Sequence, residues 1–255
     1  QAFHGKQGLK PTHRLERFTR YSLLAGHLLA AVVLTVAAVP FLSPAQQLGL
    51  RQRWSARLLK ILGIHLSADA PFIGHGSLIV ANHVSWLDIF VINAAFPTTF
   101  VSKAEVRGWP LAGWLAAKHE TVFLRRGSRG HARIVNGEIT ALLAQGRHVT
   151  IFPEGTTTDG SHVLGFHGAL LQAAIEARAP LQPIAIAYRL PDGSYTRAPA
   201  YDGDLSLLDS LRAIVAEPRI LARLRVADPL SVTDTPDRKA LSHLARDAIV
   251  AGIAD

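Results

Sequence analysis

Ser77-Leu78-Ile79-Val80-Ala81-Asn82-His83-Val84-Ser85-Trp86-Leu87-Asp88 is an apolar run that breaks into a polar turn and leads to a second apolar stretch. The run Ser77–Ala81 is too short for a helix and too apolar for a surface loop, so it reads as a buried strand. The stretch Trp86–Ala95 has helical length, and Ser85 is placed to act as its N-cap. A buried strand handing over to a helix is the unit of an α/β fold. The turn between them holds a His and an Asp five positions apart. Such a pair suits a base and its orienting carboxylate; it also suits a capped turn, because Asn, Ser and Asp are ordinary helix-start residues.

The strand–helix rhythm continues outward. Strands are expected at Ser77–Ala81, Thr99–Ser102, Thr121–Arg125, His148–Phe152, Leu181–Tyr188 and Arg223–Val226, each with branched or aromatic residues in a short apolar stretch. Helices are expected at Trp86–Ala95, Gly130–Ala144 and Gly168–Ala177. In the second, Ile134, Val135, Ile139, Leu142 and Leu143 are read as one face, closed by Gly146. A last helix is expected from Pro236, with Thr235 as N-cap, to about Ala251. Residues 191–203 read as a loop. The fold class is α/β: a mixed, largely parallel sheet flanked by helices, with an N-terminal membrane-associated helical segment. Residues 1–65 are assigned to that helical region and 66–255 to a catalytic domain.

Tyr21 to Leu42 contains no Asp, Glu, Lys or Arg. As a helix this segment would span roughly 33 Å, against a hydrocarbon core of about 30 Å. Lys6, Lys10, Arg14, Arg17 and Arg20 precede it; Arg51, Arg53, Arg57 and Lys60 follow. Two basic flanks do not choose an orientation. They suit a segment that enters the bilayer and returns, with Pro40 and Pro44 permitting the bend, or helices lying in the headgroup region. A cleaved signal peptide and a buried core helix are the competing readings.

The chain of 255 residues carries a formal net charge of +8, which suits an anionic partner. The basic residues gather around the apolar segment and no nucleic-acid motif is present, so anionic membrane lipids are favoured over nucleic acid. There is no Cys, which removes disulfides, thiolate catalysis and thiolate metal sites. No Gly-x-Ser-x-Gly elbow, P-loop or His-Glu-x-x-His occurs. Gly74-x-Gly76 lacks the rest of a dinucleotide fingerprint. His162 and His167 are five apart with no obvious carboxylate partner, so neither a metal nor a bound cofactor is expected.

A second candidate site is Phe152-Pro153-Glu154-Gly155-Thr156-Thr157-Thr158-Asp159-Gly160, at the end of an expected strand. Ligands collect at such carboxyl ends in open α/β sheets. Together with Asn82-His83-x-x-x-x-Asp88, and with the blocks in this order, the chain resembles the glycerolipid acyltransferase family, of the bacterial 1-acylglycerol-3-phosphate acyltransferase type. Phe100-Val101-Ser102-Lys103-Ala104-Glu105 is similar to the family's Lys-bearing segment. Thr121–Arg126 is similar to the strand that ends in a substrate-binding Arg, and Leu181-Gln182-Pro183-Ile184 to the fourth block. The resemblance covers roughly residues 70–230. Two departures stand out: Glu120 where the family often has Gly, and Thr157 where many lysophosphatidate enzymes have Arg. Glu154-Gly155-Thr156-Thr157-Thr158-Asp159-Gly160, with Tyr201–Leu208 downstream, is similar to the lyso-ornithine-lipid acyltransferase subfamily.

The resemblance implies acyl transfer from acyl-CoA or acyl carrier protein to the hydroxyl of a lysolipid such as 1-acylglycerol-3-phosphate, at the cytoplasmic face of the inner membrane. Lyso-ornithine lipid is the alternative acceptor. A catalytically silent membrane- or lipid-binding protein is the alternative of another class. Within the enzyme reading, His83 is the general base and Asp88 its partner. Backbone N–H groups near that turn are expected to face the oxyanion. Asn82, Lys103, Arg126, Glu154, Gly155 and Thr156 are the expected substrate-binding residues. Lys103 and Arg126 are the ones suited to an anionic head group.

Overall fold

The structure is a computed structural model. It describes residues 12–69, 76–108, 113–114, 118, 121–124, 129–235 and 237–254. Among the described residues seven strands form one sheet: β1 (Ile64–Ala68), β2 (Leu78–Ala81), β3 (Thr99–Lys103), β4 (Val122–Leu124), β5 (Val149–Ile151), β6 (Leu181–Arg189) and β7 (Ile220–Val226). Their order is β1-β7-β6-β2-β5-β3-β4. Every neighbouring pair is parallel except β6–β7. The fold class is therefore the mixed, largely parallel sheet that the alternation implied.

Helices cover both faces. On one face lie α1 (Arg14–Ala37), α2 (Pro44–Ile61), α3 (Asp88–Ala95) and α6 (Leu207–Ala216); on the other lie α4 (Arg129–Ala144), α5 (Gln172–Ala177) and α7 (Arg238–Ala254). The central strands are buried on both sides: Leu78, Ile79, Val80 and Ala81 of β2 are fully inaccessible. This is why β2 shows a continuous apolar run and no alternation. Leu58, Leu62, Val91, Ile92 and Ile214 close one core; Val135, Ile139, Leu171, Leu241 and Ile249 close the other.

β2 leads through α3 to β3 on one side, whereas β5 leads through α5 to β6 on the other, across the opposite face of the sheet. The carboxyl ends of the adjacent strands β2 and β5 thus flank a switch point, the place where an open α/β sheet leaves a crevice. Both catalytic-looking turns lie there.

Several expected boundaries move. α3 starts at Asp88 with Leu87 as N-cap, two residues later than expected. Gly168–Leu171 is a 3-10 turn before α5. α7 runs Arg238–Ala254; Pro236 lies outside the described residues. Ile134, assigned to the apolar face of α4, is 60% exposed, whereas Val135 and Ile139 are buried. Successive helical residues differ by about 100° round the axis, so both cannot face one core.

The N-terminal segment is a helical hairpin. α1 ends at Ala37, a 3-10 turn Val39–Phe41 carries Pro40, and α2 restarts at Pro44 under a Ser43 capping box. Only Arg20, Leu24, His27, Ala31 and Thr35 of α1 are buried, a single stripe. His27 stacks on Trp54 of α2 with ring centroids 4.3 Å apart. Arg20 donates to the carbonyls of Leu62, Glu217 and Pro218, so one guanidinium satisfies the C-terminal ends of both α2 and α6. Gly63, at φ +76°, lies beneath it. Much of the remaining apolar surface of α1 is uncovered: Phe18, Leu29, Val33 and Val36, and Phe41 just beyond the helix, are all more than half exposed. By length and composition α1 could cross a membrane, and this uncovered apolar surface suggests membrane association.

Candidate active site

Asn82 extends the sheet with its side chain. Its amide nitrogen donates to Ile186 O at 3.0 Å and its amide oxygen accepts from Ile186 N at 2.7 Å. The side chain therefore stands in for one more residue of ladder, satisfies β6, and frees the main chain to turn. This fully buried Asn is a positioning group for that turn.

The turn wraps around Asp88, whose side chain is inaccessible to solvent. Oδ2 of Asp88 accepts from Val84 N at 2.7 Å, from Ser85 N at 2.9 Å, and lies 2.8 Å from Nδ1 of His83. Oδ1 accepts from the Tyr188 hydroxyl at 2.7 Å. A buried carboxylate is tolerated when its lone pairs are met in this way. Because Asp88 accepts at Nδ1, that nitrogen carries the ring proton, and Nε2 presents a lone pair. Nε2 has no partner among the described residues. The ring lies flat on Phe152, with centroids 4.1 Å apart and planes at 12°. Phe152 in turn stacks on Phe100 at 6.1 Å.

Glu154 is a staple across the switch point. Oε1 accepts from His83 N at 2.7 Å and Oε2 from Leu164 N at 2.8 Å. Thr158 N donates to His83 O at 2.9 Å. The backbone of His83 is thus held at both ends by the turn that follows β5. Burial is the main influence on the Glu154 carboxyl and pushes its pKa up, with the Asp88 charge adding to the rise; its two backbone donors and His83 pull the other way. Burial, reinforced by the Asp88 charge and the hydrogen bond to it, drives the Tyr188 phenol well above its ordinary range. Tyr188 therefore stays protonated and acts as a donor.

Gly155 adopts φ +72°, a conformation that favours glycine, and lets the chain reverse after Glu154. Thr156 is exposed. The Thr157 hydroxyl donates to Tyr201 O, tying this turn to the loop after β6. Tyr201 N donates to Val84 O at 2.9 Å, so that loop also reaches the His83 turn.

His83, Asp88, Asn82 and Glu154 therefore converge, as the motif spacing led one to expect. Four readings change. Ser85 is not the N-cap; its hydroxyl accepts from Leu87 N at 3.2 Å, inside the turn. The N–H groups of His83, Val84 and Ser85 are all engaged by carboxylates, so none is free to face an oxyanion. Glu154 spends both oxygens on backbone donors and shapes the site by holding it. His162 has a carboxylate neighbour after all, Asp159 at 3.4 Å. Lys103 ends β3 opposite Leu124, on the same sheet edge as the His83 turn. Arg126 and Glu120 lie outside the described residues. Tyr188 and Thr158 were not singled out from sequence. A Tyr closing an apolar strand reads as core, and only the pairing of β6 with β2 reveals its target.

A His whose Nδ1 is held by a buried carboxylate and whose Nε2 is free can accept a proton from a hydroxyl. The Acyltransferase family profile matches residues 61–187, which hold both turns. The lyso-ornithine lipid O-acyltransferase of Pseudomonas aeruginosa is 40% identical over 242 residues, covering 90% of this chain and 92% of that protein. The chain belongs to the acyltransferase family. The 1-acyl-sn-glycerol-3-phosphate acyltransferase of Neisseria meningitidis is 34% identical, with 76% of each chain covered. The crystal structure of the 1-acyl-sn-glycerophosphate acyltransferase of Thermotoga maritima superposes with a TM-score of 0.70 over 94% of both chains, at 19% identity. The enzyme class is thus acyl transfer to a lysolipid, and both acceptor types occur among its relatives.

Proposed function

We propose that this acyltransferase moves a fatty acyl group from a thioester donor to the hydroxyl of lyso-ornithine lipid at the cytoplasmic face of the inner membrane. The observation that carries the acceptor is the 40% identity along 90% of the chain to an enzyme named for that acceptor. Residues of this site agree with it. Where the lysophosphatidate type often has Arg, this chain has Thr157, and its hydroxyl is already committed to Tyr201 O. A bidentate phosphate partner is therefore missing from that position. The expectation from sequence put 1-acylglycerol-3-phosphate first; the comparisons back the ornithine acceptor better.

In this reading Nε2 of His83 takes the proton of the acceptor hydroxyl as its oxygen attacks the thioester carbon. Asp88 holds the ring and stabilises the imidazolium that forms. The proton then leaves with the thiolate of the donor, so the thioester bond breaks as the ester forms and no acyl-enzyme is needed. With the turn 83–85 saturated, the N–H groups of Thr156 and Thr157, unpartnered among the described residues, are the donors assigned to the oxyanion. Lys103 and Arg126 are assigned to the acceptor's anionic group. The test is a side-by-side assay of purified enzyme with lyso-ornithine lipid and lysophosphatidate. Higher kcat/KM for lyso-ornithine lipid is expected; a clear preference for lysophosphatidate would overturn the acceptor.

A further inference from the structure

On the face of the sheet opposite α1, a cleft of about 560 Å³ opens between α7 and the segment from Gly165 to Ala169. α7 lines it with Arg238, Lys239, Ser242, His243 and Arg246. These residues fall at i, i+4 and i+8 or i+1 and i+5, so they share one side of the helix. Arg238, Lys239 and His243 are exposed, and none makes a side-chain hydrogen bond or ion pair within the described residues. Arg246 is different: it donates to Val163 O and Leu164 O at 2.8 and 2.9 Å and holds the cleft wall. Asp237 accepts from Lys239 N, and Asp247 lies 4.0 Å from Arg246. Among the described residues neither forms an ion pair with Arg238, Lys239 or His243.

The cleft wall leads to the chemistry. Leu164, whose carbonyl Arg246 holds, donates its N–H to Glu154, and the other Glu154 oxygen holds His83. The uncovered apolar surface of α1 lies across the sheet from α7. We propose that this basic cleft docks the acyl donor in the form of an acyl carrier protein, a small acidic protein whose acyl chain hangs from a phosphopantetheine arm. Arg238, Lys239 and Arg246 set fixed positive charges along about 12 Å of helix, with the His243 imidazole between them. A row of separated cations suits an acidic helix face, whereas a single nucleotide phosphate group calls for converging donors. The inference rests on the acyltransferase reading and names where its soluble substrate binds.

The test uses the full chain in detergent micelles. Binding of acyl carrier protein is measured for the wild type, for Arg238→Glu/Lys239→Glu, and for His243→Glu as a separate variant. The KM for acyl carrier protein and for acyl-CoA is measured in parallel. All three substitutions lie on exposed side chains outside the catalytic turns, and unchanged melting confirms folding. The double variant should bind the carrier at least tenfold more weakly and raise its KM correspondingly. His243→Glu should do so to a smaller degree. The kcat, the acceptor KM and the KM for acyl-CoA should hold. Carrier affinity that ignores the charge reversal, no carrier binding by the wild type, or an equal rise in KM for acyl-CoA would each overturn the docking site. Carrier binding without turnover of any thioester would instead sink the acyltransferase reading and leave the cleft standing.

Discussion

Replacing Tyr188 by Phe removes one oxygen from the centre of the protein and tests how Asp88 is held. The Tyr188 hydroxyl is the only donor to Asp88 Oδ1 among the described residues; the other three contacts fall on Oδ2. The residue is 3% exposed, so water does not replace the lost donor without opening the core. A hydrogen bond to a charged group contributes about 1.5–3 kcal/mol, and an unmet buried carboxylate oxygen lies at the upper end. For a domain of this size, each 1 kcal/mol shifts Tm by roughly 2–4 °C. Tyr188→Phe should therefore lower Tm by about 3–12 °C. Catalysis should fall less than in Asp88→Asn, because the charge and the contact to Nδ1 survive. A loss in kcat of about tenfold corresponds to ~1.4 kcal/mol of lost transition-state stabilisation. The KM for the acceptor should hold, since Tyr188 is sealed from substrate. Calorimetry in detergent and steady-state acyl transfer read the two effects. A variant with wild-type Tm and wild-type kcat would refute the argument that Oδ1 needs this donor.

Other expectations follow from the same contacts. Glu154→Gln keeps one acceptor but turns an amide N–H toward a backbone N–H, and should cost about 1–3 kcal/mol of stability, seen as a lower denaturant midpoint. Because burial raises the Glu154 pKa in the fold, its protonation favours the folded state; that contribution is present at low pH and is lost as pH rises through the folded pKa. Stability measured upward from the ordinary carboxylate range should thus slope downward more in the wild type than in Glu154→Gln. Gly63→Ala places a Cβ 2.8 Å from the Arg20 guanidinium, at a residue with positive φ. It should loosen the hairpin and lower Tm by several degrees, on the order of the 1–3 kcal/mol of strain plus displaced contacts. Asp88→Asn should lower kcat by roughly a thousandfold or more while leaving donor KM near its original value, judged from the Ser-His-Asp template.

Legibility in the sequence followed burial. β2 and β6 show largely apolar runs because both faces are covered, and the motif turns lie directly beyond β2 and the short buried strand β5. β1 is harder to read: Ile64-His65-Leu66-Ser67-Ala68 alternates apolar and polar residues, but the strand is short, lies at the sheet edge and buries only Ile64. α6 was also missed, although Ser206 accepts from Asp209 N as a regular N-cap, a signal present in the sequence. The antiparallel placement of β7 is a matter of topology, and no local pattern encodes it. At the site, motif spacing pointed to His83, Asp88 and Glu154. It could not reveal that Glu154 serves the backbone of His83, or that Tyr188 completes Asp88 from one hundred residues away. These are contacts across neighbouring strands, set by the register that places Ala81 opposite Ile184 and Val80 opposite Ile151.

The central claim is that Nε2 of His83 accepts the proton of a lysolipid hydroxyl. Its most direct measurement is the single-turnover rate of acyl transfer to lyso-ornithine lipid by the wild type and by His83→Ala, with acceptor and donor binding measured on the same preparations. His83→Ala is expected to bind both substrates, melt close to the wild-type temperature and transfer no acyl group above background. A His83→Ala enzyme that transfers at the wild-type rate would contradict that claim.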